Sequence, residues 1–239
     1  MTPGGRPSPK ALRAVVFDLD DTLYAERDYV HSGYRAIEAH LVRTHPQLSG
    51  LAEWMWNRFC QGRSDKMFDA AGEHFGLPMA PEQIAELVDY YRRHRPTIEP
   101  NADALAVLEA LVIGGRVKLG LLSDGFLPAQ QYKLEALGLA DRFDAIVFTE
   151  SLGRQCWKPS TAGFERIAQQ LAVPHANCAY IADNPAKDFM AGNQLGWLTV
   201  QWLFDGQIHA DNPAPPGGDA QIVTDNAAAL SAALGVGGD

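Results

Sequence analysis

One short stretch near the amino terminus constrains the fold most: Ala14-Val15-Val16-Phe17-Asp18-Leu19-Asp20-Asp21-Thr22. Its first four residues are apolar and include two β-branched valines, a pattern typical of a strand buried on both faces. The apolar run stops at Asp18, and Asp20 and Asp21 follow after one intervening residue, Leu19. Paired acids directly after a buried strand destabilise a fold unless they bind something. The stretch therefore predicts a buried strand that ends in a functional loop.

From residue 101 onward, helical patterns alternate with short apolar runs. Strands are predicted at 117–122, 145–148, 179–182, 198–201 and 221–223, and helices at 129–137, 162–171, 186–194 and 226–234, with a first helix around Leu105, Leu108 and Leu111. This alternation is typical of a parallel, doubly wound α/β sheet, which the strand at 14–17 would join. The turn-rich segment 205–218 is predicted to be an irregular surface loop.

Residues 24–97 show a different pattern, with no strand signal. Apolar residues recur at spacings of three and four, which predicts a series of amphipathic helices, the first of them carrying Val30, Tyr34, Ile37 and Leu41. Pro46 is expected to end that helix, and Pro81 to begin the last one. The predicted organisation is a flexible tail (1–12), an α/β core (13–23 and 98–239) and an all-helical cap domain (24–97).

Composition excludes several classes of protein. The 239 residues are 46% hydrophobic and 21% charged, as in ordinary globular proteins. A net charge of −9 disfavours binding to nucleic acid or to anionic membranes. No apolar run approaches the ~18 residues of a membrane span, and residues 1–10 lack the apolar core of a secretory signal. Three cysteines without metal-type spacing predict reduced thiols and a cytoplasmic protein. The sequence indicates no protein partner.

Polar residues follow four of the predicted strands. Besides Asp18 and Asp20 they are Ser123, Asp124, Gly125, Lys158, Asp183 and Asp188. Ligands of open parallel sheets bind beyond the carboxyl ends of the strands, so these side chains are expected at one edge. Several carboxylates in one cleft repel each other unless a cation lies between them. Mg²⁺ suits carboxylates that share it with a phosphate.

These residues form motifs that resemble those of the haloacid dehalogenase-like (HAD) superfamily, in the phosphatase branch with a helical cap between the first motif and the second strand. The motifs are Phe17-Asp18-Leu19-Asp20-Asp21-Thr22-Leu23, Leu121-Leu122-Ser123-Asp124-Gly125, Lys158-Pro159 and Ala182-Asp183-Asn184-Pro185-Ala186-Lys187-Asp188. The resemblance covers roughly residues 14–234 and implies a Rossmann-like core with an inserted all-helical cap. One departure is Ala182, where the family usually has glycine. Alanine is acceptable there if its φ is negative.

The resemblance also implies a role for each residue. Asp18 is the expected nucleophile, which forms an aspartyl-phosphate, and Asp20 the general acid and then the general base. Lys158 is expected to offset the charge of nucleophile and phosphate. Phosphate oxygens are expected to bind Ser123, the amides of Asp124 and Gly125, and Lys158. The expected Mg²⁺ ligands are Asp18, Asp183 and the main-chain carbonyl of Asp20, with Asn184 and Asp188 beside them, Asp188 either as a ligand through water or as a partner of Lys158.

The predicted function is that of a Mg²⁺-dependent phosphomonoesterase acting on a small phosphorylated metabolite, either a sugar phosphate or a nucleoside monophosphate. Caps that close over a site exclude bulky substrates, which favours a small one. The presence of Asp20 and Asp183 argues against halide displacement, and that of Asp20 against phosphonate cleavage. A phosphomutase and a non-catalytic phosphate-binding relative remain alternatives. The residues expected to contact substrate are Tyr24, Arg27, His31 and Arg154.

Overall fold

The computed structural model describes residues 11–235. The tail predicted at 1–12 therefore lies outside the described residues, except for its last two. The strands are β1 Ala14–Phe17, β2 Lys118–Ser123, β3 Ala145–Phe148, β4 Cys178–Ala182, β5 Leu198–Trp202 and β6 Ile222–Thr224. The helices are α1 Glu26–Leu41, α2 Leu51–Cys60, α3 Met67–His74, α4 Pro81–Arg93, α5 Ala102–Gly114, α6 Ala129–Leu137, α7 Ala162–Leu171, α8 Phe189–Leu195 and α9 Ala227–Ala233.

The six strands form one parallel sheet in the order β3-β2-β1-β4-β5-β6. The predicted doubly wound α/β fold is therefore confirmed. Strand order reverses at β1, whose neighbours β2 and β4 come from distant parts of the chain. Phe17 pairs with Leu121 on one side and with Ile181 on the other. The carboxyl ends of these three strands therefore lie side by side at the same edge of the sheet. In doubly wound sheets this reversal point opens the crevice in which ligands bind.

The strands at the centre of the sheet are buried on both faces. All residues of β1 and β4 are buried, as expected for strands covered by helices on each side. Glycines allow the helices to approach closely. A Cβ atom at Gly163 of α7 would lie 2.8 Å from Leu122 Cδ1, and one at Gly192 of α8 would lie 2.9 Å from Thr199 Cγ2. The core that supports the site is thus tightly packed.

The described residues divide into two compact units, 11–25 with 100–125 and 138–235, and 26–99 with 126–137. The second unit is helical, and its core includes Ile37, Leu48, Leu51 and Met55. It also holds α6, which lies within the stretch that the sequence assigned to the α/β core. Two arginines of the helical unit lie over aromatic rings of residues 126–137. The Arg92 guanidinium lies 3.7 Å from the centre of the Phe126 ring, and that of Arg95 lies 3.8 Å from the centre of the Tyr132 ring.

Some element boundaries differ from the predicted ones. Helix α8 begins at Phe189 rather than at residue 186, because residues 184–188 form a separate turn in which the Asp188 N–H donates to Asn184 O. Strand β2 keeps its predicted length but is shifted by one residue, so that it runs from Lys118 to Ser123. Among the residues that the structure describes, no helix combines the length and the hydropathy needed to cross a membrane.

Candidate active site

Asp18 and Lys158 form a buried ion pair at the carboxyl end of β1. Asp18 is the first residue after the strand, and its N–H donates to Ile181 O of β4 at 2.9 Å. Lys158 Nζ lies 2.8 Å from Asp18 Oδ1 and 2.7 Å from Asp188 Oδ1. Burial by itself lowers the pKa of Lys158, but the two carboxylates outweigh it and hold the pKa well above its usual value. Lys158 therefore carries a fixed positive charge in the site.

Asp124 holds the loop that carries Lys158. Its Oδ2 accepts a hydrogen bond from the Lys158 N–H at 3.0 Å, and its Oδ1 accepts one from the Thr149 hydroxyl at 2.6 Å. The carboxylate of Asp124 is thus used to orient two neighbouring segments. This arrangement is compatible with the prediction that Asp124 meets phosphate through its amide rather than through its side chain.

Tyr180 is a member of the site that the sequence analysis did not identify. It lies within β4, fully buried, and its hydroxyl accepts a hydrogen bond from Lys158 Nζ at 2.8 Å. The same hydroxyl donates to Leu122 O at 3.2 Å. A tyrosine in the middle of a buried strand needs a polar partner for its hydroxyl, and this is the feature of the sequence that could have indicated Tyr180 as a site residue. That partner is Lys158, the same lysine that forms the ion pair with Asp18.

Three buried carboxylates converge beside this lysine. Asp18, Asp183 and Asp188 each offer an oxygen, and these oxygens all lie within 4.8 Å of one another. Asp183 Oδ2 is buried and has no hydrogen-bond partner. Burial and then the neighbouring carboxylates Asp188 and Asp18 raise the pKa of Asp183 to about 10. Burial also raises the pKa of Asp18, to about 6, against the lowering effect of Lys158.

This carboxylate group fits a hard divalent cation. Carboxylate oxygens are the ligands that Mg²⁺ prefers, and a positive ion would satisfy the unpartnered oxygen of Asp183. Asp188 also accepts a hydrogen bond from the Asn184 N–H at 3.0 Å, which fixes its orientation. The structure therefore places Asp188 as a partner of Lys158 and as a neighbour of the other two acids.

Asp20 lies outside the group of three carboxylates. Its side chain accepts a hydrogen bond from the Tyr24 hydroxyl, and the two residues also form an isolated backbone bridge. Tyr24 is fully buried. The Tyr24 hydroxyl thus faces Asp20, and the expected contact between Tyr24 and substrate stays a prediction.

Ser123, Gly125 and Asn184 lie around the same edge of the sheet. Ser123 is buried at the end of β2, and its hydroxyl donates to Asp124 O at 3.2 Å. Gly125 has a φ of +132°, which favours glycine over any residue with a side chain. Asn184 Oδ1 accepts the Ala186 N–H at 3.1 Å and so closes the turn after β4.

The family follows from comparison of the chain with known proteins. A model of haloacid dehalogenase-like hydrolases matches residues 12–196, well over half of the chain. The chain belongs to this family. The hydrolase is 25% identical over 197 residues to a glyceraldehyde 3-phosphate phosphatase of Methanopyrus kandleri, covering 80% of this chain and 83% of the relative. It is 30% identical over 187 residues to a phosphoserine phosphatase of Thermus thermophilus, covering 77% and 70%.

A solved structure shares the fold of the hydrolase. The magnesium-bound HAD hydrolase YfnB of Bacillus subtilis superposes with a TM-score of 0.68 at 20% identity, covering 94% of this chain and 99% of that one. The departure at Ala182 fits this fold. The residue ends β4, and the described non-glycine residues with positive φ are Asp21, Lys66 and Ala172. An alanine is therefore accommodated before Asp183 without strain.

The other residues expected to contact substrate lie in two places. In the helical unit of the hydrolase, the Arg27 guanidinium lies 5.3 Å from the centre of the Trp56 ring, and His31 stacks on the same ring at 4.5 Å between centroids. Burial lowers the pKa of His31. In the α/β unit, Arg154 is mostly exposed and pairs with Glu150 at 3.6 Å.

Proposed function

We propose that this hydrolase is a Mg²⁺-dependent phosphomonoesterase that acts on a small phosphorylated metabolite through an aspartyl-phosphate. The observation that carries the proposal is the buried group formed by Asp18, Lys158, Asp183 and Asp188. A buried carboxylate held against a fixed cation is poised to attack phosphorus. No apolar core needs such a cluster for its own stability, because each buried charge must be desolvated.

Asp18 and Lys158 supply the nucleophile and its counter-charge. Lys158 Nζ lies 2.8 Å from one oxygen of Asp18, so the lysine holds that oxygen and orients the other for attack. The positive charge also offsets the negative charge of an approaching phosphate, and the burial of Lys158 limits screening by solvent. Ser123 and the amides of Asp124 and Gly125 are proposed to bind the phosphate oxygens.

Asp20 is proposed to move the protons. It would donate a proton to the leaving alkoxide and later accept one from the attacking water. Its side chain is already oriented by the Tyr24 hydroxyl. A general acid held in one orientation loses less freedom when substrate binds.

Mg²⁺ is proposed to be held by Asp18, Asp183 and the main-chain carbonyl of Asp20, with Asp188 and Asn184 beside them. When bound, the ion would offset the repulsion between an anionic nucleophile and an anionic phosphate. The unpartnered oxygen of Asp183 supports this assignment, since a buried carboxylate oxygen without a partner destabilises the protein.

A small phosphate ester is proposed as the substrate because the relatives named above are a glyceraldehyde 3-phosphate phosphatase and a phosphoserine phosphatase. The proposed substrate contacts are Tyr24, Arg27, His31 and Arg154, because a phenol, a guanidinium or an imidazole can bind the anionic or hydroxyl groups of such esters.

The proposal is tested by phosphate release from a panel of small phosphate esters. We expect release that stops with EDTA, returns with Mg²⁺ and is lost in Asp18→Asn. The matched control is Asp141→Asn, an exposed aspartate of the same unit, which should keep wild-type activity. Three results would overturn the proposal: release that persists in Asp18→Asn, isomer interconversion without free phosphate, and ligand binding without turnover.

A further inference from the structure

Residues 201–212 make hydrogen bonds to both acidic loops of the site. We call this segment the strap. It runs from the end of β5 through a turn to Asn212, and most of it lies in the stretch predicted to be an irregular surface loop. The two loops that it contacts are 18–24, which carries Asp18 and Asp20, and 183–188, which carries Asp183. All three segments belong to the same compact unit.

On one side the strap holds Asp21. Gln207 Nε2 donates to Asp21 O at 2.6 Å, and the Ile208 N–H donates to Asp21 Oδ2 at 2.6 Å. Asp21 is fully buried and has a φ of +50°, a conformation that non-glycine residues adopt only when their surroundings favour it. The strap thus binds both the carbonyl and the carboxylate of the residue that directly follows Asp20.

On the other side the strap holds the turn after β4. Gln201 Nε2 donates to Asp183 O at 2.8 Å and to Ala210 O at 2.8 Å, so one amide group joins the turn to the strap. Asn212 Nδ2 donates to Asn184 Oδ1 at 3.2 Å. The carbonyl that Gln201 holds belongs to the same residue whose carboxylate points into the site.

The strap is also tied within itself and to the sheet. The Phe204 N–H donates to Gln207 Oε1 at 2.9 Å, and Gln207 Nε2 donates to Trp202 O at 2.9 Å. The Leu203 N–H donates to Thr224 O of β6 at 2.9 Å. The side chain of Gln207 therefore connects the sheet edge, the turn of the strap and Asp21, and its position is fixed at both of its polar atoms.

We propose that the strap sets the distance between the two acidic loops, with Gln207 and Gln201 as positioning residues. Neither glutamine touches the reacting atoms. Each holds the backbone next to a residue that does. The proposal rests on the proposed function only for the chemistry of the loops. Residues that orient metal-binding carboxylates from outside typically change metal affinity by about 10- to 100-fold when they are removed.

The test compares Gln207→Ala and Gln201→Ala with a matched control in the full-length protein. The control is Gln221→Ala, whose Nε2 likewise donates two hydrogen bonds, to Trp197 O at 2.7 Å and to Asn193 Oδ1 at 3.1 Å, but to neither acidic loop. Amide hydrogen exchange is measured by mass spectrometry without metal, and Mg²⁺ affinity by calorimetry. We expect faster exchange in 18–24 for Gln207→Ala and in 183–188 for Gln201→Ala, with Mg²⁺ bound about tenfold more weakly in both.

Unchanged exchange in both loops would overturn the strap, and so would equally fast exchange in Gln221→Ala, which would indicate general loosening. If Gln207→Ala does not fold, Gln207→Glu carries the exchange comparison, because it keeps the acceptor for Phe204 and loses the donor to Asp21. The proposed function fails separately: a wild-type protein that binds no Mg²⁺ and releases no phosphate would overturn that function, whereas faster exchange in the glutamine variants would still support the strap.

Discussion

Tyr180 shows how a residue inside the sheet can serve the site. Its hydroxyl lies between Lys158 Nζ and Leu122 O, in surroundings where neither group can turn to water. We expect Tyr180→Phe to lower the free energy of unfolding by about 1–2 kcal/mol, because a buried carbonyl loses its donor. We also expect kcat to fall more than KM changes, since Lys158 loses an orienting contact.

Urea denaturation and steady-state kinetics measure the two effects of Tyr180→Phe. Tyr90→Phe, at a tyrosine 38% exposed, is the matched control and should leave both unchanged. A Tyr180→Phe protein with wild-type stability and wild-type kcat would contradict this role.

The raised pKa of Asp183 predicts that this carboxyl releases a proton when a metal ion binds. Its pKa is raised from 3.8 to about 10 by burial and by neighbouring carboxylates, so at neutral pH the metal-free carboxyl is protonated. A ligand of Mg²⁺ must be deprotonated. We therefore expect about one proton to be released on binding at pH 7 and the affinity for Mg²⁺ to rise with pH. Calorimetry in buffers of different ionisation enthalpy measures this release, and a heat independent of the buffer would contradict it.

Helices α1 and α4 of the helical unit are joined through His94. Its Nδ1 contacts Tyr91 O at 2.6 Å, and its Nε2 contacts the Ser32 hydroxyl at 3.2 Å. Burial lowers the pKa of His94 below its usual 6.5. The folded unit thus binds a proton on His94 more weakly than the unfolded chain does. The stability contributed by the neutral His94 is therefore fully present above pH 6.5, and it is lost as the pH falls below that value.

We expect His94→Gln to flatten the loss of stability as the pH falls below 6.5, because the variant lacks the buried imidazole whose pKa is lowered. Thermal unfolding across this range is the measurement. His40→Gln, at an exposed histidine of the same unit, should retain the wild-type pH dependence. A His94→Gln protein that loses stability in acid as steeply as the wild type would rule out this source.

The elements themselves were largely predictable from sequence. Predicted and observed bounds coincide for α6, β3 and α7, because apolar periodicity and the flanking Gly and Pro residues are local signals. The start of α8 was missed because Pro185 and the Asp188 carboxylate favour a turn that competes with the helical pattern. Hydrogen bonds such as that from Gln207 to Asp21 join residues far apart in the chain, and no periodicity reports them.

At the scale of the whole molecule, the buried carboxyl of Asp183 lowers the free energy of unfolding of the metal-free protein. We expect Asp183→Asn to stabilise the metal-free protein, because it removes a buried carboxyl whose raised pKa disfavours folding at every pH above its usual 3.8. The sign follows from proton binding: the folded state holds this proton up to about pH 10, whereas the unfolded chain releases it near pH 4, so the gain grows from pH 4 to neutrality.

A gain of about 1–2 kcal/mol at pH 7 would raise Tm by about 2–8 °C in a chain of this size. Scanning calorimetry with EDTA at pH 4 and pH 7 measures it, and the same variant should lose the stabilisation that Mg²⁺ gives to the wild type. Equal or lower Tm for Asp183→Asn at pH 7 would contradict the expectation.

The place of β1 in the middle of the sheet has a consequence during synthesis. Of the six strands β1 is translated earliest, and its neighbours β2 and β4 are translated much later. Until then Asp18 has no lysine beside it, and Val15 and Val16 have no neighbouring strands with which to pair. A nascent chain interrupted before β4 would therefore expose an apolar segment that ends in carboxylates, a target for chaperones while translation proceeds.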